Sequence, residues 1–400
     1  MVVGLVSIFA LPMKSTYILF SEYYVKKIYY TVVDNGGVDK VSKASEIDKS
    51  YFYRFFSGNR CSLNFIFSLY NTLNLDQKEI EKNILEVVSG KNNSIGIKNP
   101  TLPFDFDNKY GGVFLGAIMG DGRRTILGGL TYNNQNISIV KNIVKSSQYI
   151  FGNVHYRISP KKDGTFQLDL PKIAGDIVGL FGIEKSYKVV SDCYVDIPRF
   201  SEAMIIGFVR QFYNDEGNVR RSDRRLQVKQ TRILPERNVH KIRKNVGKYA
   251  PKILIKIRDV LLEFDICSTL ALEALRKCNG KIMGDFSLNI YCKENLMKFR
   301  DRIGFDISYK QKLLIEVVNN YKFPSAPRNG RLDFALKYAR IVQEKNGFIT
   351  KNLLAKESER SVRTSICFLI DLKKKGLVKV IATPRKKNGV PLPHKYVLVV

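Results

Sequence analysis

The sequence predicts an α+β chain of several domains: a helical N-terminal domain, two related α+β repeats, and a C-terminal module of three helices and a hairpin. Three observations predict it. Two segments about 95 residues apart, Phe114–Gly122 and Val209–Gly217, share one design, an apolar helix closing on acid-glycine. A polar stretch at Lys91–Pro100 and the pair Pro324 and Pro327 separate these repeats from what precedes and follows. Apolar periodicity then switches between helical and alternating in a set order along each part. With 400 residues, 44% of them hydrophobic, the chain can bury more than one core.

The elements follow in order. Residues 1–12 are apolar but have no basic flank, and Lys14 interrupts them far short of the roughly 20 residues that a membrane helix needs. They read as a loosely held start, with Met13 a second possible initiator. From 14 to 90, the runs Tyr17–Val33, Val38–Ala44, Tyr51–Phe56 and Leu63–Leu73 predict a compact all-helical domain, with Asp34-Asn35-Gly36-Gly37 as a stop. Within it, Val38–Ala44, the turn Glu46–Lys49 and Lys49–Phe56 resemble a helix-turn-helix (HTH) of the repressor kind, which sets Tyr51, Tyr53 and Arg54 toward a DNA groove. The segment 91–109 is expected to be a linker.

The repeats are placed at 110–200 and 201–322, each an apolar helix followed by hairpins and a further helix. Asn279-Gly280, between Leu270–Arg276 and Lys281–Tyr291, predicts a type I′ hairpin. From 331 to 400, helices at Leu332–Lys345, Thr350–Lys356 and Ser361–Lys375 precede strands at Val378–Thr383 and Lys395–Val400. That order is a winged helix-turn-helix. Ser361 is its N-cap candidate, Arg360, Arg363 and Thr364 its exposed helix face, and Arg385, Lys386 and Lys387 its basic wing tip.

Charge narrows the partner. The formal excess is +29, with a pI near 9.8, and it calls for an anionic partner, either nucleic acid or an anionic membrane face. By successive hundreds the basic and acidic residues number 12 and 9, 12 and 9, 21 and 11, and 21 and 8, so the excess lies in the C-terminal half. The six cysteines form no CxxC pair and the three histidines are not grouped with them, which excludes a zinc finger and fits a reducing cytosol.

The paired motifs carry the chemistry. Gly116 and Gly120 recur at i and i+4, leaving a helix face without side chains on which another helix can pack closely. Two such helices side by side would bring Asp121 and Glu216 together. Acids are disfavoured at helix C-termini, so two there need an external reason. Paired carboxylates beside a basic surface suit hard divalent cations, which activate water and stabilise the leaving oxygen in phosphodiester cleavage. The glycines do not make a nucleotide loop, because Gly120-Asp121-Gly122-Arg123-Arg124-Thr125 lacks the Gly-Lys-Ser/Thr ending.

This pair resembles the LAGLIDADG family of homing endonucleases in its single-chain, two-motif form. Phe286–Ile290, Glu294-Asn295-Leu296, Lys298-Phe299, Ile303-Gly304-Phe305, Lys310 and Lys312-Leu313 look like the family's closing strand and helix, so the resemblance spans about 110–320. It implies a pseudo-symmetric pair of αββαββα repeats whose two four-stranded sheets form a saddle in the major groove. It also implies double-strand cleavage by Asp121 and Glu216 with Mg2+, or Mn2+ in its place. Family members usually carry a polar and basic pair on the strand after each motif, and the matching stretches, Thr131-Tyr132-Asn133 and Lys229-Gln230-Thr231, nominate Asn133, Lys229 and Gln230 as supporting residues. Only the second keeps a lysine, and Gln211 stands where a small residue is expected.

Arg123 and Arg124 in the first half, and Arg220, Arg221, Arg224, Arg225, Lys229 and Arg232 in the second, are the DNA-contact candidates, with 232–249 an insertion that extends the footprint. The expected partner is double-stranded DNA bound by a monomer, with no membrane, in the cytoplasm at the nucleoid. A non-cleaving DNA-binding regulator and an RNA maturase are the competing readings. The splice-junction residues of an intein are absent.

Overall fold

The computed structural model describes residues 4–92, 95–185, 196–234, 239–321, 330–383 and 392–399. The chain divides into two units, residues 1–291 with 298–314, and residues 292–297 with 315–400.

The first unit opens with β1 (Leu5–Val6), β2 (Thr16–Phe20), α1 (Glu22–Asp34), α2 (Gly37–Ser45), α3 (Lys49–Phe56), β3 (Cys61–Ser62), α4 (Leu63–Leu73), α5 (Gln77–Lys82), β4 (Ile84–Ser89), β5 (Gly96–Pro100) and β6 (Phe104–Asp105). The side chains of Ser21, Asp48, Ser62 and Asp76 each accept a backbone N–H in the first turn of α1, α3, α4 and α5, a cap that contributes about 1 kcal/mol apiece.

The all-helical expectation for 14–90 is corrected. Strand β2 pairs with β3 and β4 in a sheet ordered β3-β2-β4-β5-β9, where β9 is Gly152–Val154 of the first repeat. Thr16, Ile18 and Phe20 alternate inward, and the Phe20 ring meets Tyr24 of α1 at 5.3 Å and Phe55 of α3 at 6.0 Å between centroids. Each of these helices is apolar on one face only, so it needs the sheet to cover that face. The expected linker is corrected too, since β5 lies inside 91–109 and pairs with both β4 and β9. Residues 4–12 are not loosely held: β1 pairs with β6, Ile8 is buried, and Glu81 Oε1 accepts from Ser7 Oγ at 2.9 Å and Ile8 N at 3.1 Å.

Two copies of one arrangement follow. The first is α6 (Lys109–Met119), β7 (Gly122–Arg124), β8 (Leu130–Asn134), α7 (Ile137–Phe151), β10 (Arg157–Pro160), β11 (Phe166–Leu170) and α8 (Lys172–Gly179), with β9 leaving for the N-terminal sheet. The second is α9 (Glu202–Glu216), β12 (Gly217–Arg220), β13 (Arg225–Leu234), α10 (Val239–Lys244), α11 (Val246–Tyr249), α12 (Lys252–Glu263), β14 (Ser268–Cys278), β15 (Lys281–Ile290), α13 (Lys293–Arg302) and α14 (Ser308–Asn319). Helices α10 and α11 are the insertion. The sheets run β7-β8-β11-β10 and β12-β13-β15-β14, the same order in each half. Asn279 and Gly280 both have positive φ, 48° and 74°, as the type I′ turn between β14 and β15 requires.

In the second unit, α15 (Arg331–Asn346), α16 (Lys351–Glu357), α17 (Val362–Lys374), β16 (Val378–Ala382) and β17 (Lys395–Leu398) enclose Ala335, Ala339, Leu354, Phe368, Leu369 and Leu372. Thr350 and Ser361 cap α16 and α17. The strands pair antiparallel, and Ile349 bridges to Tyr396. Arg363 is exposed, but Arg360 is not: it is buried with its guanidinium 4.9 Å from the Phe334 ring centroid. Arg385, Lys386 and Lys387 lie outside the described residues.

Candidate nucleic-acid interface and its paired acids

Helix α6 is buried from Gly111 to Met119 and packs along α9. The approach is backbone to backbone. A Cβ built at Gly116 would lie 2.6 Å from Phe208 O and 3.1 Å from Gln211 Cβ, one at Gly207 2.6 Å from Lys109 O, and one at Gly120 2.8 Å from Asp215 Cβ. Gly112 meets Met204 O more closely still. The spacing 112, 116, 120 carries the glycine stripe one turn further back than Gly116 and Gly120 alone. Asn108 and Ser201 cap the two helices, and Asp107 Oδ1 accepts from Ser201 N at 2.6 Å, tying the two starts together.

The helices do not end through a left-handed glycine. Gly217 has φ −79° and ψ 140°, and the chain turns directly into β12. Glycine is needed there because a Cβ would overlap the Tyr213 carbonyl.

Asp121 is exposed and Glu216 half-buried, and the residue before Glu216, Asp215, is half-buried too, with its Oδ2 turned inside against Gly120 of α6. Asp215 Oδ1 accepts from Tyr132 Oη at 2.7 Å, Gln211 Nε2 at 3.0 Å and Asn134 Nδ2 at 3.3 Å. The same Asn134 amide lies 3.2 Å from Asp121 Oδ2. Burial, with the Asp121 charge added, pushes the Asp215 carboxyl up to about 8 against the donors that hold it down, and its Oδ2 is buried without a partner. Burial and the Asp215 charge likewise raise the Tyr132 phenol.

Lys310 closes the site from beneath. Its buried Nζ donates to the carbonyls of Asn214 at 2.6 Å, Gly217 at 2.7 Å and Tyr213 at 3.4 Å, satisfying the end of α9. Burial lowers its pKa, opposed by the charges of Asp215, Asp121 and Glu216, which therefore share one neighbourhood.

The supporting residues expected from the sequence are not gathered here. Asn133 is on the opposite face of β8 from Tyr132 and Asn134, so Asn134 takes the place beside Asp121. Gln230 lies opposite Phe286 on the face of Leu226 and Val228, toward the helices. Lys229 points the other way, opposite Ser287. Asp215, Tyr132, Asn134, Gln211 and Lys310 were missed as site residues. The one sequence signal for them is polar residues, Gln211 and Asp215, at i and i+4 on a helix whose partner offers glycine.

Each sheet carries cations that are tied into the structure and cations that are exposed. On the first, Arg123 is exposed, its Nε donating to Thr131 Oγ1 at 3.2 Å. Arg124 is corrected: it lies on the inner face, 13% exposed, paired to Asp176 Oδ1 at 2.9 Å, where Ser89 Oγ also donates to Asp176 at 2.6 Å. On the second, Arg225 is 11% exposed and bonds Asp223 at 2.8 Å, Asn289 Oδ1 at 3.2 Å and Tyr291 Oη at 3.2 Å, so it builds the surface rather than projecting from it. Glu273 accepts from Gln227 and Ser287, and the Ser287 hydroxyl with the Arg225 charge keeps its carboxyl below the usual range. Arg232 is corrected as well, its Nη1 donating to Ala250 O at 3.1 Å at the end of α11. Arg220 and Arg224 are part-exposed, Arg220 beside Asp223, and Arg221, Lys229, Arg54, Tyr51 and Tyr53 are exposed.

Among the described residues, no three or more His, Cys, Asp or Glu side chains form a group that could hold a metal. The pair Asp121 and Glu216 still fits Mg2+, which commonly takes one or two carboxylates and fills its remaining positions with water and phosphate oxygens. No described helix is long and apolar enough to cross a membrane.

No protein-family model and no curated protein matches this sequence. Among solved structures, the chain is similar to mesophilic variants of the homing endonuclease I-DmoI, at 16% identity over 52% of this chain and 97% of that one, TM-score 0.34. It is similar to I-DmoI in complex with DNA and Mn, at 18% identity over 49% and 96%, TM-score 0.33. It is also similar to full-length DUF199/WhiA from Thermatoga maritima, at 12% identity over 69% and 93%, TM-score 0.35. The core itself has a twice-repeated αββαββα order and a shared strand order, the arrangement that the sequence resemblance implies.

Proposed function

We propose that this protein is a DNA-directed endonuclease of the homing type, holding a long duplex target against its two sheets and cutting both strands at Asp121 and Glu216. The observation that carries this reading is the paired helices α6 and α9, whose acid-bearing ends meet over a common lysine between two sheets of identical order. Mg2+ or Mn2+ bound by Asp121 and Glu216 would supply the Lewis acid that activates water and stabilises the leaving oxygen. The chain's own residues do the rest. Asn134 orients the Asp121 carboxylate through its amide, and the glycine-lined helix contact fixes the spacing of the two acids. Arg123, Arg220, Arg221, Arg224 and Lys229 supply cations for phosphates and base edges.

The flanking pieces extend the footprint in this reading. The α2 and α3 pair acts as a helix-turn-helix, presenting Tyr51, Tyr53 and Arg54, and the second unit acts as a winged helix presenting Arg363. Tethered modules of this kind raise affinity through effective concentration.

A specific observation favours a second reading, a non-cleaving DNA-binding regulator. Asn133, Lys229 and Gln230 do not stand beside the acids, and Lys310, which feels the charge of both, is committed to three backbone carbonyls. Both readings need duplex DNA, and selection from a random duplex pool followed by a salt titration tests that shared premise. Recovered sites bound with a slope near −0.9 per neutralised phosphate support it. Binding that single-stranded RNA displaces in preference to duplex DNA removes it.

A further inference from the structure

The two halves carry topologically equivalent turns, between β7 and β8 and between β12 and β13, and these turns differ in chemistry. The second is Arg221-Ser222-Asp223-Arg224, polar and basic. The first holds Ile126 and Leu127, 78% and 84% exposed, the most exposed large apolar side chains among the described residues. Single exposed apolar residues are ordinary, but two adjacent ones at the tip of a turn on a cationic chain are not.

The turn beneath them is rigid. Thr125 N donates to Gly129 O at 2.7 Å, and Gly128 N to Thr125 O at 2.9 Å. Gly175 of α8 packs so closely on the turn that a Cβ there would overlap the Gly128 carbonyl oxygen. Two lysines flank it: a Cβ at Gly128 would stand 3.1 Å from Lys172 Cγ and 3.5 Å from Lys185 Cε. Ile126 and Leu127 are thus held out from a fixed base that packs against two lysine side chains, at the end of strands whose solvent face carries Arg123, Thr131 and Asn133.

We infer that Ile126 and Leu127 form an apolar wedge that enters a base-pair step of bound duplex DNA, with Lys172 and Lys185 on the adjoining phosphates. The inference rests on the DNA-binding reading above. Apolar side chains inserted at a step partly unstack it, at a cost of a few kcal/mol, and the bent duplex then meets more of the protein. The flanking lysines select a polyanion over an apolar protein partner, and the rigid base means that little ordering is required on binding. The turn at Arg221–Arg224 would hold phosphates at the other end of the surface without insertion, so the two ends treat the duplex differently.

A wedge prefers a step that is already weakened. The test is fluorescence anisotropy with a defined duplex longer than the footprint and the same duplex carrying one central mismatch, using the full-length chain and Ile126→Ser/Leu127→Ser. Both residues are exposed, so the variant should retain the wild-type melting temperature. The expected result is about tenfold tighter wild-type binding to the mismatched duplex, a preference that the variant loses while still binding the paired one. Wild-type binding to both duplexes with equal affinity, or a preference that survives in the variant, overturns the wedge and leaves DNA binding intact. Binding to neither duplex, or to anionic vesicles alone, overturns the DNA reading and the wedge with it.

Discussion

Replacing Gly112 by alanine should be among the most damaging single-methyl additions in this chain, and the size of the effect follows from the contact between α6 and α9. Ordinary contact to a Cβ begins at 3.4 Å, whereas a Cβ at Gly116 would sit 2.6 Å from Phe208 O and one at Gly112 closer to Met204 O. The obstacles are backbone atoms inside helices, which cannot rotate away, so the helix pair itself must separate by an appreciable fraction of an ångström. Overpacking in a core costs about 1–3 kcal/mol, and contact with rigid backbone puts Gly112→Ala at or above the upper end and Gly116→Ala within it. Gly247 in α11 has nothing within 4 Å of its would-be Cβ, so Gly247→Ala should be neutral or stabilising by up to about 1 kcal/mol, as glycine loses more entropy on folding. Urea unfolding of the three variants followed by circular dichroism, with melting temperatures alongside, gives the ranking directly. A Gly112→Ala chain as stable as Gly247→Ala would refute the close helix contact, and with it the claim that this contact spaces Asp121 and Glu216.

The other expectations are more compact. Arg124→Ala should cost roughly 3 kcal/mol by leaving Asp176 charged and buried, yet leave duplex affinity within about twofold in binding titrations at a temperature where the variant stays folded. Arg221→Ala, at an exposed position of the β12–β13 turn, should do the reverse: little change in melting temperature, and a salt slope reduced by about 1 for the phosphate contact removed. Asp215 has a raised folded pKa of about 8, so the folded state binds more protons than the unfolded state between about pH 4 and pH 8, and stability should fall as pH rises across that window. Asp215→Asn should therefore exceed wild type by a few kcal/mol near neutral pH, with the gap closing in acid, as read by urea unfolding without divalent metal. Lys310→Met should destabilise by about 1–3 kcal/mol through the carbonyls of Asn214, Gly217 and Tyr213, measured by unfolding.

Much of the core was legible because its signals are local. An acid-glycine after an apolar helix marks Asp121 and Glu216, Asn279-Gly280 sets its hairpin, and the alternation of Lys281–Ile290 reads as a strand. The N-terminal sheet was hidden because β2 runs into α1 with only Ser21 between, so Thr16–Phe20 merges with a helical period. Strand β5 was hidden because it begins amid Asn, Ser and Gly, and its partner β9 lies far along the chain. Among the arginines, composition shows charge but not its pairing. Arg124, Arg225 and Arg232 look like Arg123 in sequence, and only the partners Asp176, Asp223 and the Ala250 carbonyl separate the structural ones from the exposed one. At the site, a one-residue difference of strand parity puts Asn134 rather than Asn133 beside Asp121.

The most direct measurement is cleavage of a plasmid library carrying randomised sites, at low salt with Mg2+ or Mn2+, comparing wild type with Asp121→Asn and Glu216→Gln. The proposal predicts discrete double-strand breaks from wild type, none without divalent metal, and loss of those breaks in each variant while duplex binding persists. Tight, salt-sensitive binding by all three proteins with no break under either metal would contradict it and leave the DNA-binding regulator as the function of this fold.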